Sequence, residues 1–309
     1  MTSPLSVYDI LTPDWLKKTF LMGVTLTDDF GAEYPPEIYI QAIRGAVEIL
    51  EADLCIKIDP WDIIDEPHDV DIDQPIGYWP ISLDHHPIRE ISAWRVQFGT
   101  DTPGEMPLPW INLFNSRFGQ VNIVPTVTGN LPGIAWPALG ITHASWVPGF
   151  FRFDYRAGFD LRAGDVTLPA GASFVDVVLD PPMKDRYTVT LGAGFTASQI
   201  QARGFRISAT PTLSARSVGW QIDAIPNNIK QAIGQIAAML PLDIAGDLIA
   251  GAGIASSSIG MDGISQSIAT TSSATNAGYG SRIIQFRKEL EDALPILRGQ
   301  WRLNGIGAW

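Results

Sequence analysis

The chain has 309 residues, of which 46% are hydrophobic and 17% are charged, so it is long and apolar enough to bury one large core or two modest ones. This composition excludes a disordered chain and a coiled coil. The 29 glycines and 23 prolines predict many turns, and therefore a large content of strands and loops.

The net charge of −12 is concentrated in the first quarter of the chain. Residues 1–80 hold 16 Asp and Glu against 4 Lys and Arg, whereas residues 81–309 hold 17 of each class. Binding to duplex DNA depends on Lys and Arg that release condensed counterions. Sequence-specific binding of nucleic acid is therefore not expected.

The sequence also predicts a reducing compartment and no membrane span. Cys55 is the single cysteine and cannot form an internal disulfide, and Lys17 and Lys18 interrupt the early apolar stretch, so no signal peptide is expected. The most apolar later stretch, residues 236–259, contains Pro241 and two aspartates. We interpret it as a core helix followed by a loop.

A first helix is predicted over residues 36–54. Apolar residues recur there at steps of three and four, at Tyr39, Ile43, Val47, Leu50 and Leu54. The helix follows two prolines, which are well tolerated in the first turn because the missing N–H has no partner there.

Alternating residues then predict a small antiparallel sheet. Phe151, Phe153 and Tyr155 alternate with polar residues, as do Trp94 and Val96. Residues 165–223 contain short apolar strands separated by Gly and Pro, a pattern typical of a β-sandwich. We therefore expect residues 165–223 to form an inserted all-β sandwich domain, with residues 1–164 and 224–309 as its host.

Two more helices are predicted near the end of the chain, at residues 226–240 and 281–298. Pro241 is expected to stop the former, and Pro295 to kink or end the latter. Residues 251–278, between them, are rich in Ser, Thr, Gly and Ala, so this segment is expected to be mobile or held by a partner. The predicted fold class is thus α+β, a helical bundle with a small antiparallel sheet and the inserted sandwich.

No catalytic, cofactor or metal motif stands out in the sequence. Asp69, Asp71 and Asp73 resemble the start of a calcium loop, but the required glycine and glutamate are missing. His85 and His86 are adjacent, which places them on opposite sides of an extended chain. The sequence has no G-x-S-x-G elbow and no phosphate loop. We expect no enzymatic activity, no cofactor and no bound metal.

The order of several local phrases resembles the head-to-tail adaptor (connector, or head-completion) proteins of tailed bacteriophages. The phrases are "LTPDWLKKTFLMG", "YPPEIYIQAIRGAVEILEADL", "HHPIREISAWRV", "LPWINLFNSRFGQVNIVP", "FRFDYRAGF" and the segment that runs from "IPNNIKQAIGQIAAML" into the last helix. The resemblance covers most of the chain apart from residues 165–223, which a minimal adaptor lacks.

This resemblance implies a structural virion protein at the head-tail junction, made in the host cytoplasm. It implies a ring of about twelve copies below the portal protein, joined to the next neck or tail-completion protein. DNA would pass through the lumen without sequence-specific binding. The acidic residues 1–80 would keep DNA from adhering if they face the lumen, and would only aid solubility if they face outward.

The resemblance also implies a portal and ring interface at the two ends of the last helix. Its residues are Gly278, Tyr279, Gly280, Arg282, Trp301, Arg302, Leu303, Ile306 and Trp309. The apolar residues of the tail would act as anchors. The alternative is that Trp301 caps the core and the residues after it are a frayed terminus. Arg282, at a helix start, is expected to be held by an acidic neighbour because the macrodipole disfavours a cation there.

A second function remains open at this point. The inserted sandwich would serve a carbohydrate- or receptor-binding virion module if exposed aromatic residues such as Phe205 and Trp220 contacted a glycan. Their alternating positions fit a place in the core at least as well.

Overall fold

The computed structural model describes residues 2–24, 26–28, 30–71, 79–97, 102–123, 146–183, 186–199, 203–250, 256–261, 264–269 and 279–302. The fold is mixed α+β and divides into two compact units. The helical unit consists of residues 6–54 and 225–300, and the strand unit consists of residues 1–5, 55–224 and 301–309. The expected boundaries of an inserted domain at 165 and 223 stay a prediction.

The helices form the helical unit, except that the last residue of the final helix belongs to the strand unit. They are α1 (Val7–Ile10), α2 (Pro13–Thr19), α3 (Pro36–Leu54), α4 (Asn227–Ala250) and α5 (Gly280–Trp301). Side chains fix the starts of the two short helices. Ser6 and Asp9 form a capping box on α1, and the Thr12 hydroxyl accepts the Trp15 N–H of α2 at 3.2 Å.

Helix α3 has the predicted bounds, and its predicted apolar stripe is buried. Helix α4 does not, because it continues past Pro241 to Ala250, so the expectation that Pro241 stops it was wrong. Proline removes one helical hydrogen bond and costs about 3 kcal/mol in a helix interior. Leu242 and Ala245, directly beyond it, are buried, and this packing explains why the helix continues.

Helix α5 likewise continues through Pro295, and Leu297 beyond that proline is buried. Residues 251–278 lie only partly within the described chain. Their described part is an antiparallel ribbon of two strands, β15 (Ser256–Met261) and β16 (Ile264–Ala269). The backbone of these twelve residues is therefore regular in the structure, which the sequence composition did not predict.

The strand unit contains fourteen strands among its described residues. They are β1 (Thr2–Pro4), β2 (Trp61–Asp71), β3 (Trp79–Ser82), β4 (Ile88–Val96), β5 (Gly104–Glu105), β6 (Ile111–Asn115), β7 (Gln120–Ile123), β8 (Trp146–Ala157), β9 (Leu161–Leu168), β10 (Phe174–Val178), β11 (Thr188–Leu191), β12 (Thr196–Gln199), β13 (Gly204–Ser208) and β14 (Arg216–Asp223). All the pairings between these strands are antiparallel.

Strands β2 to β8 form two sheets, in the orders β2-β8-β4-β5 and β3-β7-β6. A single apolar cluster joins them, in which Trp94 stacks on Phe153 with ring centroids 6.4 Å apart. The alternation predicted around Phe151 and Tyr155 is thus that of a central strand, β8, with its apolar residues buried.

The later strands form two further sheets, in the orders β1-β9-β14-β11 and β10-β13-β12. Their buried residues share a second apolar cluster, in which Phe205 meets Trp220 edge to face at 5.4 Å. Strand β9 begins at Leu161, before the predicted start of the insertion, and β1 from the beginning of the chain pairs with it.

Candidate functional site

The residues predicted for the interface lie at opposite ends of α5. Tyr279 precedes the helix, its carbonyl accepts the N–H groups of Arg282 and Ile283 at 3.0 and 3.2 Å, and Gly280 is the first residue of the helix. Arg302 is exposed just beyond the other end. Gly278, Leu303, Ile306 and Trp309 lie outside the described residues.

Arg282 is held by carbonyl groups, and among the described residues it has no ion pair with the acidic neighbour that was expected. Its Nη2 donates to the carbonyl of Phe20 at 2.7 Å, and its Nη1 donates to the carbonyl of Met22 at 3.5 Å. Phe20 is the C-terminal cap of α2, where the carbonyls lack helical partners and the macrodipole is negative. The cation at the start of α5 is therefore stabilised by the end of another helix.

Trp301 is buried, with 6% of its surface exposed. Its ring meets Phe159 edge to face at 5.3 Å, and the guanidinium of Arg117 lies 4.0 Å from the ring centroid. A guanidinium over an indole face is a favourable cation–π contact. This environment matches the alternative in which Trp301 caps the core, while the interface role of the residues after it stays a prediction.

Phe30 is an exposed aromatic residue that the sequence analysis missed. It stands on a tight loop in which the Asp28 carboxylate accepts the N–H groups of Phe30 and Ala32, both at 2.9 Å. Gly31 completes the turn with φ +79°, a conformation that glycine adopts without strain. The Phe30 side chain is 94% exposed on this turn. The signal in the sequence is the phrase "DDFG", since Asp favours such turns and Gly tolerates them.

Other large apolar side chains are also exposed in both units. In the strand unit, Trp61 and Ile64 on β2 are 61% and 78% exposed. In the helical unit the exposed set is Met22, Ile49, Leu240, Ile284 and Ile296. Contiguous exposed patches of such side chains are typical of surfaces that bind other proteins, whereas single exposed side chains are common on any protein surface.

A buried carboxylate lies at the centre of a polar cluster in the strand unit. Glu66 on β2 accepts hydrogen bonds from the Tyr155 hydroxyl at 2.6 Å, from His68 Nε2 at 2.6 Å and from His85 Nδ1 at 2.9 Å. The Asp84 N–H adds a fourth bond at 3.0 Å. Because an ionised carboxylate only accepts, both imidazoles must donate to it.

The protonation of this cluster follows from its contacts. Burial alone would raise the pKa of Glu66, but the bonds from His68, Tyr155, Asp84 and His85 outweigh it and lower the pKa to about 2. Burial and the bond to Glu66 raise the pKa of Tyr155. Glu66 is therefore an anion and Tyr155 a neutral donor.

His86 faces a different environment from its neighbour His85, as the sequence predicted for adjacent residues in an extended chain. It is buried, and among the described residues its Nδ1 has no hydrogen-bond partner. Burial lowers the pKa of His86. In the described part of the chain, no three His, Cys, Asp or Glu side chains are grouped so as to hold a metal ion.

A second polar network crosses the same sheet next to a β-bulge. Asp65, at φ +60°, donates its N–H to Asp154 at 2.8 Å and accepts from Arg152 Nη1 at 2.5 Å. Arg95 donates to both carboxylate oxygens of Asp154. Burial would raise the pKa of Asp154, but the contacts with Arg95 and the Asp65 N–H lower it. This network fixes the bulge and so the position of Glu66, the next residue.

A cleft of about 560 Å³ opens in the strand unit and is lined by apolar residues, three arginines and three acidic residues. Arg162 donates to both oxygens of Asp160 at 2.7 Å, and Arg156 Nε lies 3.7 Å from Asp62. The third arginine, Arg89, donates to a backbone carbonyl. Because these guanidinium groups have partners within the chain, the cleft is not arranged as an anion site.

The aromatic residues considered for glycan binding are not available at the surface. Phe205 is fully buried and Trp220 is 4% exposed, both within the cluster shared by the two later sheets. Stacking on a sugar requires an exposed ring face. Among the described residues, no helix is long and apolar enough to cross a lipid bilayer.

No protein-family model matches the chain, and neither does any curated protein. Among solved structures, a chain described as "Virion of native gene transfer agent (GTA) particle" aligns with 99% of this chain and 98% of its own length. The identity is 12% and the TM-score is 0.32. A TM-score this low does not establish a common fold.

Proposed function

We propose that the protein is a non-enzymatic structural component of a phage-like virion. It forms a ring at the head-tail junction, joins the portal protein to the next neck or tail component, and leaves a lumen through which DNA passes. The order of sequence phrases shared with head-to-tail adaptors supports this proposal, and so does a surface suited to assembly.

The observation that carries the proposal is the exposure of Phe30 on a turn whose backbone N–H groups are bonded to Asp28. Because the Phe30 side chain is 94% exposed, it adds almost no hydrophobic burial to the stability of a single chain. Cover by a second copy would supply that burial. The loop is already held by Asp28 and Gly31, so little conformational entropy is lost on binding. Phe30 is therefore suited to be an interface anchor between identical copies, with the exposed apolar residues of α3 and α5 as further contacts.

The portal interface is assigned to the residues after α5. Trp301 is assigned in this proposal to the core of its own chain, because its ring packs on Phe159. Leu303, Ile306 and Trp309 supply the apolar anchors, and Arg302 is exposed at their start. On the opposite end of α5, Tyr279 and Gly280 belong to the surface between copies.

The test is electron microscopy and light scattering of the purified chain, alone and mixed with the portal protein. We expect symmetric rings in at least one of these samples. A protein that stays monomeric in both would contradict the proposal.

A matched pair of variants tests the role of Phe30. Phe30→Ala is expected to weaken ring formation at least tenfold without lowering the stability of the monomer, because its ring contacts solvent rather than the core. Leu213→Ala removes an equally exposed side chain from the strand unit and serves as the control. If the two variants assemble equally well, Phe30 is not part of the interface between copies.

A further inference from the structure

The ribbon of β15 and β16 is a two-stranded sheet that no third described strand joins. Its six residue pairs run without interruption from Ser256–Ala269 to Met261–Ile264. The residues between the strands in the sequence are Asp262 and Gly263, a pair that favours a two-residue hairpin turn. A lone two-stranded ribbon is marginally stable in water, so this one is expected to gain a partner.

The two edges of this ribbon lack the features that prevent further strand pairing, whereas the long edge strand of the strand unit has them. Strand β2 lies at the edge of its sheet and carries Asp62, Asp65 and Pro67, together with two register shifts. Charge, proline and bulges are the usual means of preventing edge-to-edge pairing. The twelve residues of the ribbon include no charged residue and no proline, and its register has no shift.

The ribbon is also amphipathic in its register. The positions that share one face hold only small, uncharged residues, which are Ser256, Ser258, Gly260, Ser265, Ser267 and Ala269. The positions of the other face are mostly apolar, namely Ser257, Ile259, Met261, Ile264, Gln266 and Ile268. The two faces of the register therefore differ in composition, one small and mostly polar and the other mostly apolar.

We propose that the ribbons of neighbouring copies pair edge to edge, β15 of one copy with β16 of the next, into a closed antiparallel barrel. This inference rests on the ring of the proposed function. The partner is a second copy of the same chain, because every copy has both a β15 edge and a β16 edge. Repeated pairing around a ring therefore leaves no strand edge unpaired. The absence of charge supports this choice, since no like charges meet when identical ribbons pair. The small-residue face would line the lumen.

The test uses paired cysteines on the small-residue face in a Cys55→Ser background. Ser256→Cys and Ser265→Cys are combined in one chain. The two positions do not lie opposite each other within one ribbon, because Ser256 pairs with Ala269 and Ser265 pairs with Gly260. A short bis-maleimide is added to assembled rings, and the products are separated under denaturing conditions. We expect a ladder of covalent oligomers that extends up to the full ring. The single variant Ser256→Cys is the matched control, because one thiol per copy cannot link beyond a dimer.

Hydrogen exchange provides a measurement that does not depend on the variants. Peptides that cover residues 256–269 are expected to exchange at least tenfold more slowly in rings than in the free chain. Rings that form normally but give no ladder, and that show the same exchange as the free chain, would overturn the barrel while leaving the proposed function intact. A chain that forms no ring at all, alone or with portal, would overturn both.

Discussion

The ring of Phe20 occupies the space in which a side chain on Gly234 would begin. A Cβ built on Gly234 would lie 2.0 Å from Cε2 of Phe20. The same ring meets Trp15 at 5.4 Å and Phe286 at 6.4 Å, both edge to face. The absence of a side chain at this point of α4 therefore allows α2, α4 and α5 to share one aromatic contact.

Gly234→Ala is expected to destabilise the protein by about 1–3 kcal/mol, because the methyl group overlaps the ring of Phe20. Alanine is favoured over glycine in a helix by about 1 kcal/mol, so the steric cost must exceed that gain. Urea denaturation monitored by circular dichroism measures the difference. The control is Gly45→Ala in α3, where a Cβ would meet no atom within 4 Å, and a gain of about 0.5–1 kcal/mol is expected there. An equal gain at Gly234 would show that the ring moves aside without cost.

Glu66→Gln is expected to lower the free energy of unfolding at neutral pH and to make it less dependent on pH in acid. The folded-state pKa of Glu66 is about 2, below the ordinary 4.5, so the ionised group stabilises the fold above pH 4.5 and this stability is lost as the pH falls from 4.5 towards 2. The difference corresponds to about 3 kcal/mol. We therefore expect the variant to be less stable than the wild type at pH 7, with a shallower decline below pH 4.5.

Chemical denaturation at a series of pH values checks this prediction. Glu90→Gln, on the exposed side of β4, is the control and should leave the pH profile unchanged. His86 adds a separate effect, because its lowered pKa means that stability also falls as the pH drops below 6.5. That decline should persist in Glu66→Gln, and its loss there would show that Glu66 also sets the titration of His86.

Arg282→Ala is expected to destabilise the protein by about 1–3 kcal/mol, because it leaves the carbonyl groups of Phe20 and Met22 without their charged donor. Arg287→Ala removes an exposed arginine farther along α5 and should change the stability by less than about 0.5 kcal/mol. Thermal unfolding of the monomer measures both. If Arg282→Ala unfolds like the wild type but assembles poorly, the residue acts between copies and not within one.

The sequence predicted those elements whose pattern is local. Helix α3 has its apolar residues at helical spacing and a proline at its start, and both signals lie within nineteen residues. The course of α4 beyond Pro241 was not predictable in this way, because burial of Leu242 by the rest of the unit outweighs the local cost of proline. The ribbon of β15 and β16 had a usable local signal in its Asp-Gly pair, which the polar composition around it obscured.

The polar clusters could not be predicted, because their members are distant in the sequence. Glu66 and Tyr155 are 89 residues apart and meet only because β2 pairs with β8. The register shift between Ile63 and Glu66 also alters which side of the sheet each later residue of β2 faces. The partner of Arg282 was missed for a related reason, since a backbone carbonyl at the end of α2 leaves no trace in the sequence pattern.

Trp301→Ala and Trp309→Ala are expected to affect different properties, stability for the former and portal binding for the latter. The Trp301 side chain is buried within the chain, whereas Trp309 is assigned to the portal interface. Trp301 packs on Phe159 and under Arg117, so its truncation should destabilise the monomer by about 3–5 kcal/mol. Trp309→Ala should leave the unfolding curve unchanged and weaken binding to the portal protein at least tenfold. Differential scanning calorimetry of the monomer and surface plasmon resonance on immobilised portal separate the two effects. Arg117→Ala removes the cation–π contact with Trp301, together with the longer one to Phe118, and should cost about 0.5–1 kcal/mol. If Trp301→Ala leaves the monomer stable but abolishes portal binding, Trp301 belongs to the portal interface. If Trp309→Ala binds the portal protein normally, the tail does not belong to that interface.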